Sequence, residues 1–470
     1  MKKTFIILSI GAVLCSCTKY LDIKPYGQTI PQTAEEFSAL LHNHLNEIDY
    51  GEETILGNIS SVCDFECYTD NLDANLQSYP QGNSLPRYIG SHLNDMQNLY
   101  SRLYAVIRDC NIIIENLEER DTELGRNVLG TAYALRGVCY YNLLRNFCGP
   151  AVNNGNGLGV PLVTEFDMEA RPLRSTIAQT VSRAESDMLT AISYNISDEI
   201  YRFNTDVMQG YLARLYFWAG NWTKAAEYAR LVLTKYPLLS GTAYTEMMGN
   251  EMNAKSGNIL IKSCIISDGS TRTEYTSAKN YTSSRPVSRS FVELFEEDGA
   301  NDIRYSLFFS NKRVFTKSVF ACMRSAEMQL ILAESLYHDN DTEGALSALN
   351  EFRRNRITGV TDYTMQTLPE VPAATTASPH VNTDNLVQED ALGNPLTPLM
   401  YAILCERHKE FFMEGDRWYE LKRNGRPEFW VAYQGRKYTT LEYMYTFPLP
   451  VEDIELVDGL VQNPGYDEAI

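Results

Sequence analysis

Two distant segments of this chain share one helix–turn–helix pattern. Residues 212–237 read LARLYFWAGNWTKAAEYARLVLTKYP, and residues 332–356 read LAESLYHDNDTEGALSALNEFRRNR. In each segment two alanines stand twelve positions apart, namely Ala213 and Ala225, and Ala333 and Ala345. Small side chains let paired helices approach closely, and such hairpins bury their apolar faces only by stacking on one another. The repeat therefore predicts a mainly α-helical fold of stacked hairpins.

The alanine spacing is that of a tetratricopeptide hairpin, and Pro237 stands where such a hairpin ends. Partial hairpins are also visible at Gly130–Phe147 with Thr176–Ile192, and around Leu404. No linker divides the chain, so we expect one domain over residues 17–470. The expected hairpin units lie near residues 127–192, 206–237, 321–356 and 397–424. Loops as long as those between these hairpins are usually functional or disordered.

The N-terminus has the pattern of an export signal. A positive MKK start precedes ten apolar residues, FIILSIGAVL, which are too few to span a bilayer. The run ends in LCSC, which resembles a bacterial lipobox, so we expect residues 1–16 to be a signal peptide and Cys17 to carry the lipid. Several acyl chains anchor a protein stably, since each buried methylene contributes ~0.8 kcal/mol. The alternative is an ordinary secretory signal followed by an unrelated cysteine.

Composition excludes several classes of function. The formal net charge of −19 argues against a nucleic-acid partner. Cys63 and Cys67 are the only close pair among the cysteines of the mature chain, and no second pair completes a zinc site. The sequence contains no phosphate-binding glycine loop, no G-x-S-x-G elbow and no H-E-x-x-H pair. We therefore expect no cofactor, while a disulfide between cysteines stays open.

The segment 406–426, ERHKEFFMEGDRWYELKRNGR, is the densest in charge and aromatic residues. Leu404, Phe411 and Trp418 stand seven apart, which predicts the buried face of one helix. A glycine inside a helix costs about 1 kcal/mol relative to alanine, so Gly415 is expected where another backbone crosses closely.

The carboxylates of this segment have a structural and a catalytic interpretation. Glu406, Glu410 and Glu414 occupy the flank of the predicted helix, and Glu414 stands three positions before Arg417, with which it can pair on the surface. Carboxylates on helix surfaces are mostly solvated or paired, which favours the structural interpretation.

The same segment resembles the signature helix of the SusD/RagB family. The matching residues include Glu406, Arg407, Glu410, Glu414, Gly415, Arg417 and Trp418. The C-terminal YTFPLPVEDIELVDGLVQNPGY, the AYALRGVCYYNLLRNFCGP stretch, and KYLDIKP after the lipobox resemble other parts of the family pattern. The resemblance thus spans the whole chain.

This resemblance implies an outer-membrane lipoprotein of Bacteroidetes that acts with a SusC-like TonB-dependent transporter. Family members bind oligosaccharides, or peptides in some cases, for import, and they are not enzymes. About four tetratricopeptide-like units form one side of the fold, and the signature helix is structural. Irregular insertions with minor β-structure form the ligand-binding side, which corresponds here to residues 51–90, 238–302 and 361–397.

A sugar site needs flat aromatic faces and a few convergent polar groups. The four tryptophans (Trp218, Trp222, Trp418 and Trp430) are all expected to be occupied in or beside helices, so tyrosines must serve. The candidate ligand residues lie in two segments, 63–88 and 273–285, and are Tyr68, Asp70, Asn71, Asn75, Tyr79, Arg87, Tyr88, Tyr275 and Tyr281. The alternative for each tyrosine is that it only packs within its own loop.

Two other classes of function stay open at this point. Two loops could bring a pair of carboxylates to the spacing of a glycoside hydrolase, about 5–10 Å, which would make the protein a lipid-anchored, all-helical glycosidase. The other class is a scaffold that uses its helical repeats only to hold a protein partner. Such a scaffold would bind no small ligand.

Overall fold

The computed structural model describes residues 31–51, 55–57, 59–73, 88–249, 255–263, 276–280, 282–283, 285–376, 383–433 and 436–466. The helices of these ranges are α1 (Ala34–Tyr50), α2 (Ile59–Cys67), α3 (Asp95–Asn116), α4 (Glu123–Phe147), α5 (Ile177–Ser193), α6 (Thr205–Ala219), α7 (Trp222–Lys235), α8 (Gly241–Met248), α9 (Arg289–Glu293), α10 (Ile303–Phe308), α11 (Ser325–His338), α12 (Thr342–Arg354), α13 (Pro398–Glu410), α14 (Asp416–Arg423) and α15 (Val451–Leu456). The expectation of a mainly helical fold is confirmed.

Strands are short within the described residues. Each of the antiparallel sheets seen there has two strands: β1 (Leu158–Pro161) with β2 (Arg174–Thr176), β3 (Ile259–Lys262) with β4 (Cys322–Arg324), β5 (Thr375–Thr376) with β6 (Thr383–Asp384), and β7 (Phe429–Tyr433) with β8 (Arg436–Thr440). The signal peptide and Cys17 lie outside the described ranges. None of the helices described is both long and apolar enough to cross a membrane.

The long helices form a continuous stack of antiparallel pairs. Helix α4 packs on α5, α6 on α7, and α11 on α12, while contacts of α5 with α6 and of α7 with α11 join successive pairs. The four alanines of the repeat are completely buried. Gly137 plays the same part in the first pair, because a Cβ there would lie 3.0 Å from Met188 and 3.2 Å from the Ala184 carbonyl oxygen of α5. Small residues therefore set the helix–helix distances, as the spacing predicts.

Polar caps define where many of these helices begin. Thr33 and Glu36 form a capping box at α1, and Thr176 and Gln179 form one at α5. Each box satisfies backbone N–H groups that have no partner inside the helix.

Two hydrophobic cores meet at α2. The larger core runs through the stacked helices and includes Phe65 of α2 and Tyr68 just after it. The smaller core contains Cys63 and Cys67 of α2 together with apolar residues from the 278–321 region and Phe412. Helix α2 therefore separates two sides of the molecule.

The 406–426 segment is not one helix, and the expectation of a continuous helix is wrong. Helix α13 ends at Glu410 and α14 begins at Asp416. Gly415 has a φ of 72°, which favours glycine, whereas a Cβ there would meet nothing closer than 3.8 Å. The glycine is thus required by backbone conformation and not by a close backbone crossing.

Buried cations explain why the helix can stop there. The Lys317 ammonium donates to the carbonyl oxygens of Glu410 and Phe412, and Arg324 donates to the carbonyl oxygen of Glu410 at 3.0 Å. Carbonyl groups at a helix end need partners when they are buried. These side chains, from distant parts of the sequence, supply those partners.

Candidate functional site

The carboxylates of the 406–426 segment are buried and bound to cations. Glu410 accepts hydrogen bonds from Arg324 at 2.5 Å, from Arg356 at 2.9 Å and from Arg304 at 3.3 Å. Burial by itself would raise the pKa of Glu410, but Arg356 and Arg324 hold that pKa well below its usual range. The expectation that these carboxylates line a helix surface is therefore wrong, although they are paired as the structural interpretation requires.

Glu406 and Glu414 have the same character. Glu406 accepts from Arg304 at 2.6 Å and pairs with Lys409 at 2.7 Å. Burial would raise the pKa of Glu406, but these two cations hold that pKa below its usual range. Glu414 pairs with Lys317 and Arg324, whereas the sequence predicted a pair with Arg417. A general acid must carry a proton near neutral pH, which Glu406 and Glu410 do not. These groups stabilise the frame.

Three of the candidate ligand residues point into the protein. Asp70 accepts two hydrogen bonds from Arg417 of α14, at 2.8 and 2.7 Å. The Asn71 amide donates to Glu66 at 2.6 Å, and its oxygen lies within hydrogen-bond distance of His408 Nε2. Asp70 and Asn71 thereby bind the segment after α2 to the 406–426 segment.

Tyr68 is 2% exposed and its ring lies against Phe65, His92 and Trp418, with centroid distances of 5.9, 5.6 and 6.2 Å. It occupies the wall between the larger core and a cavity beside α2.

The two segments that were predicted to bind ligand meet at one place. Leu72 forms an antiparallel bridge with Val287. The Asp73 amide donates to the Pro286 carbonyl oxygen, and the Ser288 amide donates to that of Asn71, both at 2.9 Å. We call residues 71–73 and 285–288 the loop base. It joins parts of the chain that are more than 200 residues apart, and both predicted segments emerge from it.

The loop base is fixed by an ion pair at its edge. Arg313 donates to Asp73 at 2.6 Å and to the Val287 carbonyl oxygen at 2.9 Å. Burial raises the pKa of Asp73, although Arg313 opposes the shift. The fully buried Arg285 donates to the Cys67 carbonyl oxygen at 3.3 Å, which joins the loop base to α2.

The far end of the first segment rests on the β7–β8 hairpin. Tyr88 is partly exposed, and its ring centroid lies 5.4 Å from that of Tyr438. Trp218, Trp222 and Trp418 are buried, as expected. Trp430 of β7, by contrast, is partly exposed, with the Lys437 ammonium 5.0 Å from its ring centroid.

The remaining candidate ligand residues lie outside the described residues; they are Asn75, Tyr79, Arg87, Tyr275 and Tyr281. Among the described cysteines no disulfide is formed by Cys63, Cys67, Cys110, Cys139, Cys148, Cys322 or Cys405. Within the described ranges, no three His, Cys, Asp or Glu side chains are grouped so as to hold a metal ion.

Family models match both halves of the chain. One that is described as "Starch-binding associating with outer membrane" matches residues 19–217, and one that is described as "SusD family" matches residues 308–466. The two cover about three quarters of the sequence. The chain belongs to the SusD/RagB family. A tetratricopeptide repeat model also matches residues 211–239, which contain α7 and most of α6.

Solved structures of SusD proteins share the fold. A SusD superfamily protein from Bacteroides thetaiotaomicron is 21% identical, with a TM-score of 0.68 over 92% of this chain and 100% of that one. A SusD-like carbohydrate binding protein from Bacteroides vulgatus is 16% identical, with a TM-score of 0.64 over 92% and 98%. A SusD superfamily protein from the same species is 18% identical, with a TM-score of 0.67 over 93% and 100%. At these identities the likeness establishes the fold alone. No curated protein matches this chain.

Within the SusD/RagB fold of this chain, sequence reasoning missed the structural part that Asp70 and Asn71 play. Their partners, Arg417 and His408, are more than 300 residues away. The signal that could have found them is the 406–426 segment itself, because charged groups on a buried helical face require partners from elsewhere in the chain.

Proposed function

We propose that this SusD/RagB protein binds oligosaccharides at the cell surface and delivers them to a SusC-like TonB-dependent transporter. In this proposal a lipid on Cys17 holds it at the outer membrane. The family description names starch binding and association with the outer membrane, which supports both parts. A structural neighbour that is described as a carbohydrate binding protein supports the choice of ligand.

The observation that carries this proposal is the convergence of both predicted ligand segments on the loop base. Binding loops work best when a rigid scaffold positions them. Here the bridge between Leu72 and Val287, the ion pair of Asp73 with Arg313, and the link through Arg285 to α2 make such a scaffold. Loops that start from one platform can close on one ligand from two sides.

Hydrolysis receives no comparable support. Glycosidases need one carboxylate that is protonated near neutral pH beside one that is ionised. Glu406 and Glu410 are bound to arginine and lysine side chains in the interior. Burial raises the pKa of Glu66 and Glu420 to about 7, but both side chains are also buried, where Glu66 is bound to an asparagine and Glu420 to an arginine. Binding without turnover is therefore the function that this frame supports best.

Removing tyrosines from both segments tests the proposed site. The double variant Tyr79→Ala, Tyr275→Ala is expected to weaken binding of the best oligosaccharide or peptide from a screen by about tenfold or more, because each tyrosine face contributes stacking area. Isothermal titration calorimetry on the purified protein measures the change. Tyr68 is unsuited to this test, since its truncation would open the core.

The matched control is Tyr228→Ala, which removes a partly buried tyrosine from α7 in the helical stack. This variant should bind the oligosaccharide or peptide with the same affinity as the unaltered protein. If the double variant also keeps its affinity, the two segments do not form the site. If a peptide and no glycan binds, the ligand class in the proposal is wrong.

A further inference from the structure

The cavity beside α2 that Tyr68 lines is on the other side of this helix from the loop base. Its volume is about 270 Å³, near the lower limit of roughly 300–1,000 Å³ for small-molecule pockets. Helices α2, α3, α4 and α6 and the turn between α13 and α14 contribute its walls. Side chains from the centre of the helical stack therefore surround it.

The two faces of α2 keep this cavity apart from the loop base. Ser61, Asp64 and Phe65 line the cavity. Cys63 and Cys67 belong to the smaller core on the opposite face, where the Cys67 carbonyl oxygen accepts the hydrogen bond from Arg285 of the loop base. The cavity and the loop base thus lie on different faces of α2, and Val62 contacts both the cavity and the smaller core.

Arg145 of α4 is the distinctive group of the cavity. Its guanidinium lies 3.8 Å from the ring centroid of Tyr419 and 5.2 Å from that of Tyr141. One terminal nitrogen donates to the Asn142 oxygen at 3.2 Å, whereas Nε is buried and has no hydrogen-bond partner. No carboxylate of the described residues forms an ion pair with it.

The electrostatics around Arg145 agree with these contacts. Burial lowers the pKa of Arg145, but the neighbouring Tyr419 and Tyr141 raise it, so that the net direction is upward. The side chain remains a cation. Arg145 is partly exposed as a residue, but its Nε is buried. A cation that is partly withdrawn from water without a counter-ion is costly, and an anion that enters the cavity would offset part of this cost.

Other charged groups of the cavity already have partners. Arg214 makes a two-pronged pair with Glu327, and Arg324 makes one with Glu414. Asp416 accepts from Arg407 at 2.8 and 2.6 Å. Asp64 and Arg102 make further contacts of their own, and Asp95 is exposed at the start of α3. Arg145 is therefore the group that an incoming anion would satisfy.

A narrow extension of about 30 Å³ adjoins this cavity beside Arg145. Three residues of its wall carry buried N–H groups without a protein partner: Trp218 Nε1, Arg407 Nη1 and Arg423 Nε. The space suits a water molecule, which needs roughly 10–15 Å³ and polar partners. The same wall also holds an unpartnered acceptor, Glu420 Oε2. Among these described residues the unpartnered donors still outnumber the acceptors, so a water in the extension could pass hydrogen bonds from these donors to an anion in the cavity.

We propose that this cavity is a second binding site, for a small molecule with one carboxylate that Arg145 binds. The tyrosine faces of Tyr141, Tyr211 and Tyr419 would contact its body, and Asn142 and Asn146 would lie beside its polar groups. Both a sugar acid and the C-terminus of an amino acid or short peptide have this chemistry. The site is independent of oligosaccharide capture at the loop base.

Calorimetry with two carboxylates and one neutral sugar tests this site. The probes are D-glucuronate, N-acetyl-L-alanine and methyl glucoside, in a buffer without carboxylates. We expect saturable binding of at least one carboxylate and none of methyl glucoside. The variant Arg145→Gln should lose about tenfold or more in affinity, because the cationic donor that pairs with the carboxylate is replaced by an uncharged amide. The carboxylate that binds with the higher affinity shows whether the site is for a sugar acid or for the C-terminus of an amino acid or peptide.

The matched control is Arg108→Gln, which removes an exposed arginine of α3 and should leave carboxylate binding unchanged. Equal carboxylate affinity in Arg145→Gln, or binding of neither carboxylate, overturns the proposal. Oligosaccharide affinity in Arg145→Gln should stay at the level of the unaltered protein, which separates a failure here from a failure of the proposed function.

The unaltered protein provides a second test if Arg145→Gln does not fold. A crystal structure after soaking with D-glucuronate and, separately, with N-acetyl-L-alanine should show a carboxylate within hydrogen-bond distance of Arg145. The proposal is contradicted if the carboxylates bind only at other places in the protein, or if neither soak shows a bound carboxylate.

Discussion

Glu410→Gln is expected to lower the free energy of unfolding by about 3–5 kcal/mol, because it removes one partner from a buried ionic cluster. Glu410 is fully buried and contacts Arg304, Arg324 and Arg356. Glutamine keeps the size of the side chain but not its charge, so three buried guanidinium groups lose a shared counter-ion. The positive charges of these three guanidinium groups would then be balanced only by Asp302, Glu406 and Glu414.

Urea denaturation followed by far-ultraviolet circular dichroism measures this loss. The matched control is Glu227→Gln on α7, where the glutamate is exposed; its effect should stay within about 0.5 kcal/mol. A loss of less than about 1 kcal/mol in Glu410→Gln would mean that the cluster does not stabilise the frame as its contacts indicate.

Cys17→Ala is expected to release nearly all of the protein from the membrane fraction. The proposed anchor consists of acyl chains on that cysteine, and no helix among the described residues can replace it. Each buried methylene contributes ~0.8 kcal/mol, so the loss of the chains abolishes partitioning into the bilayer. Cell fractionation followed by immunoblotting measures the distribution.

Cys15→Ala is the matched control for the anchor, because it changes the other cysteine of the LCSC sequence and leaves the lipidated position intact. This variant should stay with the membrane. Membrane association of Cys17→Ala at the level of the unaltered protein would contradict the anchor.

The helical frame could be predicted because its determinants are local. The spacing of Ala213 and Ala225 fixes how two neighbouring helices pack, and both residues are buried as the pattern requires. Trp418 is also buried as predicted, although the continuous helix on which that prediction was based does not form. Such patterns need only the side chains of one or two turns, and they are visible in a single stretch of sequence.

The break in the 406–426 segment could not be predicted in this way. Local pattern favours one helix, but Lys317 and Arg324 bind the carbonyl oxygens at the end of α13. These partners lie about 90 residues earlier in the chain. Gly415 permits the turn, yet its role is apparent only once the left-handed backbone is seen.

The candidate site could be predicted only in part, because here too the deciding contacts come from distant parts of the chain. Asp70 and Asn71 have the composition of a sugar site, but Arg417 and His408 bind them in the interior. Composition shows which groups a segment offers and not which of them the folded protein already uses. The meeting of Leu72 with Val287 depends on pairing across the chain, and it shows that the two predicted segments share one base.

The central claim is that a helical frame carries loops which capture a glycan without changing it. The most direct test titrates the purified protein with a panel of oligosaccharides by calorimetry and analyses each mixture by chromatography after prolonged incubation. We predict saturable binding of at least one glycan, which is recovered intact. The absence of binding across the panel, or the accumulation of shorter products, would contradict the claim.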